Sequence, residues 1–296
     1  MLFTLVDGII VGTMYGLFAL GIVLVYRGTK VINFAAPALG SLGLYITSVL
    51  VIDQGANWLA AAIVGALTAG AVALAFERFI VRPMKHATPL AVSVATIGLM
   101  LLIISTELLV FGGSPRNLTA PIDGDGFRIA GQVVTTTKAL SIVVAIGLGV
   151  ALTAFLRRTD FGLGVQAAAM DADAVRLVGV RLRDVNMFVW GLGGILAVIA
   201  TVLVMPSIGG FLPSTVTSVF FVPSLAAALI GGLDDLDGAF IGGLVVGLTT
   251  QFSQYFLINV AGVQHATVLL CIVLVLLLAP GGVLSRVRSM RPVVAQ

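Results

Sequence analysis

The chain has 296 residues, of which 59% are hydrophobic and only 10% charged, and its mean hydropathy is +1.16. Soluble domains carry about 25% charged residues, so a soluble globular class is excluded and a polytopic membrane protein is expected. The net charge of +3 and a pI near 9.4 then speak to loop charge and membrane orientation, not to a nucleic-acid partner.

Residues 8–26 are a charge-free run, about 28 Å long as a helix, closed by Arg27 and Lys30. A secretory signal peptide is not expected, because the run follows Asp7 instead of a basic region and has no A-x-A-like end. The second span is 31–52. It contains Asn33 and Pro37, and Pro37 should break or kink the helix near its start. Backbone groups freed there must find protein partners or a water-lined cavity. The third span is 58–76, followed by Glu77, Arg78, Arg82, Lys85 and His86. The fourth, 90–111, carries Glu107 in its last turns.

Residues 112–138 are polar and turn-rich, with FRIAGQVV as a short strand or hairpin arm. The fifth span is 139–156, and the sixth is 185–204, ended by Pro206. Residues 207–217 are uncharged and rich in Gly and Pro, which suits a protein-shielded dip into the membrane. A shorter apolar run covers 219–230, then come Asp234, Asp235 and Asp237. Spans at 238–257 and 264–279 follow, and Pro280-Gly281-Gly282 precedes a basic tail with Arg286, Arg288 and Arg291. The fold expected is a single transmembrane domain over 1–296, an all-α bundle of eight or nine membrane helices. The count turns on whether 207–237 holds a full span or a re-entrant segment.

Between the fifth and sixth spans lies 157–184, RRTDFGLGVQAAAMDADAVRLVGVRLRD, with five of the sixteen basic residues. Its alanines favour helix, and the pattern predicts one or two short amphipathic helices. Such a segment is either a docking element for a soluble partner or an ordinary loop. If the first loop is cytoplasmic and the spans alternate, only Arg116, Arg128 and Lys138 of the sixteen basic residues face outward. That bias places the N-terminus outside, and 157–184 and the C-terminus in the cytoplasm.

No G-x-x-x-x-G-K-[ST] signature is present, so ATP hydrolysis by that route is excluded for this chain. Cys271 is alone, and His86 and His265 stand far apart, so neither a disulfide nor a Cys/His metal site is expected. No positioned nucleophile and base stand out, and an enzyme is not expected. Glu107 reads as a boundary carboxylate solvated near Gly112. The alternative is a stand-alone secondary transporter using it as an intramembrane proton relay. Asn33, Gln251 and Gln254 either line a pathway or hydrogen-bond between helices.

Three stretches resemble the permease subunits of branched-chain amino acid ABC importers of the high-affinity type. They are YGLFALGIVLVYRGTKVINFA at 15–35, GLGVQAAAMDADAVRLVGV at 162–180 and AALIGGLDDLDGAFIGGLVVG at 227–247, and PGGVL at 280–284 also fits. The chain departs from the family pattern at Ala36 and Pro37, at Leu163 and Gln166, and at Asp234, Asp235 and Asp237. The resemblance implies a cell-membrane importer of branched-chain amino acids or related small amino acids and amides. It implies that 157–184 is the coupling segment, with Gly162, Asp171 and Gly179 at the family's intervals, docking on an ABC ATPase. It further implies a second homologous permease and an extracytoplasmic binding protein as partners. No cofactor is implied on this chain, since ATP acts through the partner subunits. Asn33 and Phe34 of the I-N-F-A motif join Gln251 and Gln254 as candidates for the translocation pathway.

Overall fold

A computed structural model describes residues 2–121, 126–129, 132–170, 181–257, 260 and 262–278. Helix α1 (Leu2–Thr29) is closed by Lys30, whose φ of 55° is left-handed and whose N–H reaches Tyr26 O at 2.7 Å. Residues 31–35 are not helical, and α2 (Ala36–Ser48) begins with Pro37 in its first turn. There the ring removes only an N–H that no helical partner would take. The second helix thus starts five residues later than the hydropathy run. It continues through a π-helical turn, Val49–Asp53.

Helix α3 (Trp58–Phe76) coincides with the predicted span and is capped by Asn57, whose side chain accepts from the N–H groups of Leu59 and Ala60. A second π-helical turn, Glu77–Val81, extends it. Helix α4 (Pro89–Phe111) is capped by the Thr88 hydroxyl and stops at Gly112, φ 74°. Strands β1 (Phe127–Ile129) and β2 (Gln132–Val134) pair antiparallel, so FRIAGQVV, read as a short strand or hairpin arm, supplies both strands.

Helix α5 (Thr136–Arg158) and the short α6 (Asp160–Met170) meet at Thr159. Helix α7 (Leu182–Ile208) passes through Pro206 and ends at Gly209, φ 101°. The glycine, not the proline, ends it: Pro206 forgoes the one bond its N–H would make to Val202 O, and the helix runs on to Ile208. Helices α8 (Thr215–Gly231), α9 (Leu236–Phe256) and α10 (Val263–Leu278) complete the described chain. Among the described residues, six helices are long and apolar enough to cross a membrane by length and composition, with two shorter apolar helices beside them.

Burial ranks the helices. The apolar window of α1 is 89% buried, whereas those of α4 and α5 are 17% and 28% buried. Helix α1 is therefore the central post, and α4 and α5 present most of their surface outward. The post is gripped by α9 along an antiparallel seam in which Gly8 faces Leu248, Gly12 faces Leu244 and Gly16 faces Phe240. Gly243 and Gly247 return the fit, since a Cβ on either would overlap the backbone of α1. Lipid gives helices no hydrophobic reason to associate, so close packing through small residues supplies the attraction.

Ion pairs gather the loops into two ends. At one, Lys138 meets Asp7 at 3.2 Å and Arg116 meets Asp53 at 2.5 Å. At the other, Lys30 meets Asp234 at 2.8 Å, Arg82 meets Glu77 at 3.2 Å, and Arg157 pairs with Asp237. Between these ends α8 crosses instead of turning back. Its start follows Phe211, which bridges Arg116 through the backbone, and its end leads to Asp234 beside Lys30. The re-entrant alternative for 207–237 is therefore not the one adopted.

Candidate functional site

Helix α6 is built onto the end of α5. The Thr159 hydroxyl accepts the Gly162 N–H at 3.0 Å, which makes Thr159 the cap of α6. Asp160 adds a carboxylate in the first turn, where the helix dipole favours it. The Gln166 side chain donates back to Leu156 O. Gly162 has no positive φ. Its task is close approach, because a Cβ there would run into Leu156 Cα and Phe155 O. With Gly162, Gly164, Val165 and Ala168 turned inward, α6 leaves Leu163 and Met170 exposed, Met170 at 88%. Both side chains stand on the outward face of α6, away from the bundle. Asp171 and Gly179, which the family pattern sets beside Gly162, lie outside the described residues.

The I-N-F-A motif forms the non-helical link between α1 and α2. Backbone that leaves the helix inside a membrane bundle needs partners, and α4 provides them. The Ile32 N–H donates to Ser93 Oγ at 3.2 Å, and the Phe34 N–H to Thr96 Oγ1 at 3.0 Å. Asn33 is buried and its Oδ1 accepts the Ala35 N–H at 3.0 Å, while its Nδ2 has no partner among the described residues. The Phe34 ring lies 5.6 Å from that of Phe221 on α8.

The same face of α4 carries Glu107. Its side chain is 0% exposed, so it is not a solvated boundary carboxylate. Ser41 Oγ donates to Glu107 Oε2 at 2.9 Å, and Oε1 has no partner among the described residues. One turn along both helices, Tyr45 stacks on Phe111 at 4.7 Å and meets Phe211 edge-on at 5.1 Å. The Tyr45 hydroxyl is likewise buried without a partner. Ser93, Thr96, Leu99, Ile103 and Glu107 thus form one buried stripe at helical spacing that holds α4 against the α1–α2 link and α2. Interhelical hydrogen bonds of this kind are worth about 0.6 kcal/mol each in a membrane.

The other pathway candidates do not join this stripe. Gln251 is half-buried and Gln254 exposed. Both stand near the far end of α9, past the seam's last glycine contact at Gly247, whereas Asn33 and Phe34 follow Lys30 at the basic end. Ser41, Tyr45, Ser93 and Thr96 were not singled out from sequence. The i, i+3 pair Ser93 and Thr96 on an apolar helix was the available signal, but it did not reveal the partner.

The described residues form a helical bundle with small-residue seams, a helix break sealed by hydroxyls and a short outward helix, with several helices apolar enough to cross a membrane. The chain matches the family model described as branched-chain amino acid transport system / permease component over residues 4–279, and it belongs to that family. It is similar to the high-affinity branched-chain amino acid transport system permease protein LivH of Escherichia coli (strain K12), 27% identical over 294 residues, 95% of this chain and 94% of that one. It is also similar to the permease protein BraD of Pseudomonas aeruginosa, 27% identical over 296 residues and 95% of each chain. A third relative is the "Probable branched-chain amino acid transport permease protein LivH" of Methanocaldococcus jannaschii, 27% identical over 296 residues, 93% of this chain and 90% of that one. No solved structure matches the chain.

Proposed function

We propose that this chain is one membrane-spanning permease of an ABC importer, a single domain over 1–296. It carries branched-chain amino acids, or related small amino acids and amides, inward across the cytoplasmic membrane. The observation that carries the reading is α6, whose exposed Leu163 and Met170 offer a docking face at the basic end of a family member. An ABC ATPase docks there, and Gly162, Asp171 and Gly179 shape the segment. A second permease completes the core, and an extracytoplasmic binding protein delivers substrate. ATP acts only through the partners. Asn33, Phe34, Gln251 and Gln254 are proposed to face the translocation pathway.

The N-terminus lies outside and the C-terminus in the cytoplasm, supported by the thirteen to three division of basic residues. The burial of Glu107 favours a competing reading, a stand-alone carrier coupled to an ion gradient through that carboxyl. Uptake of radiolabelled leucine into proteoliposomes separates the two. The importer needs ATP, ATPases and binding protein. Gradient-driven uptake by this chain alone would refute it.

A further inference from the structure

At the basic end, the last turn of α1, the π-helical turn after α3, the link into α4 and the start of α7 enclose a pocket of about 460 Å3. Its charged lining is Arg27, Lys30, Arg82, Lys85 and Arg183 against one carboxylate, Glu77. Glu77 is already held by Arg82 at 3.2 Å, and Lys30 by Asp234 at 2.8 Å. Arg27 is shared with a neighbouring cavity that contains Asp234 and Asp235. Arg183 also acts on Glu77 electrostatically, and Lys85 has no ion-pair partner among the described residues. Five cations against one lining carboxylate leave the pocket net positive even with the rim pair to Asp234, a field that favours an anion.

We propose that this pocket binds the phosphate headgroup of an anionic phospholipid. Depth favours a lipid over a soluble anion, because the pocket lies where four apolar helices end. Two of the elements that line it also carry exposed apolar side chains. Phe79 and Ile80 on the π-helical turn are 69% and 43% exposed, and Leu90 and Val94 on α4 are 74% and 56% exposed. Acyl chains can lie along these side chains while the headgroup enters the pocket. Helix α4 also leaves room, since a Cβ at Gly98 would meet nothing within 4 Å. Basic pockets of this kind between membrane helices recognise anionic headgroups, at about fivefold in affinity for each Lys or Arg near the surface.

The test uses the purified full-length chain in micelles carrying phosphatidylglycerol or phosphatidylcholine of matched acyl chains. Lipid retention is read by native mass spectrometry and melting temperature by thermal shift. The parent should retain and be stabilised by phosphatidylglycerol. Lys85→Gln/Arg183→Gln should lose about fivefold of that preference for each charge removed, with its melting temperature in phosphatidylcholine unchanged. Lys85→Gln alone, on an exposed side chain, gives the single-charge step if the double variant is unstable. Arg78→Gln, exposed beside the pocket but not lining it, should keep the parent's preference. Equal retention of phosphatidylglycerol by parent and variants would overturn the assignment. So would inorganic phosphate alone raising the melting temperature as much as the lipid. A loss of ATPase copurification with lipid retention unchanged would assign the basic face to the protein partner instead.

Discussion

The glycine seam between α1 and α9 allows a sharp test of what holds the bundle together. A methyl at Gly243 would fall inside contact distance of Gly16 N and Cα and 2.8 Å from Gly12 O. All three are backbone atoms, so no side chain can rotate away. Contacts of this type are best near 3.5–4.0 Å, and a gap of about 1 Å elsewhere along the seam forfeits a quarter to a half of each contact's attraction. Overpacking of this kind costs about 1–3 kcal/mol, and backbone against backbone places it at the top of that range. The gain in helix propensity on replacing glycine returns about 0.8–1 kcal/mol. Gly243→Ala should therefore destabilise by about 2 kcal/mol. Gly98→Ala, in open space on α4, should show only the gain. Equilibrium unfolding of the purified chain in micelles should separate the two variants by about 3 kcal/mol. If they unfold together, the seam is not a close backbone contact and α1 is not gripped as described.

Other predictions follow from the same geometry. Thr159→Ala removes the cap of α6 and should cost about 0.5–2 kcal/mol locally; amide exchange should rise over 160–164 while membrane insertion is unchanged. Glu107→Gln keeps an acceptor for Ser41, so stability should hold to within about 1 kcal/mol and ATP-driven uptake to within about twofold. A collapse of uptake in a stable Glu107→Gln protein would favour ion coupling through the carboxyl. In a Cys271→Ser background, an impermeant thiol reagent added outside should label Ser114→Cys and not Asp171→Cys; the reverse would invert the orientation. Asp171→Ala and Gly179→Val should insert normally yet weaken ATPase copurification, and parental copurification would deny the segment its coupling role.

The helices were legible because each apolar run has to satisfy its own backbone. The span read at 58–76 is α3 itself, and that at 90–111 differs from α4 by one residue. The start of α2 was misplaced because hydropathy cannot see a helix break whose N–H groups are satisfied by Ser93 and Thr96, sixty residues away. The burial of Glu107 is hidden from hydropathy for the same reason. Four residues from the end of an apolar run, a carboxylate reads as solvated, and only the α2–α4 register sets Ser41 against it and the Tyr45, Phe111 and Phe211 rings one turn further. The role of Gly162 was half legible: the residue stood out, but its need for close approach to α5 depends on how α6 folds back.

The fastenings at the basic end bear on how a force would travel. Helix α6 is tied to α5 by the Thr159 cap and by Gln166 on Leu156 O, and Arg157 ties the end of α5 to Asp237 at the start of α9. Helix α9 is zipped to α1, and Lys30 at the end of α1 is tied back to Asp234. A push on Met170 therefore meets a closed frame with little slack. Densely packed interiors switch between arrangements instead of bending gradually, so α6, α5, α9 and α1 are fastened to shift together and not one at a time.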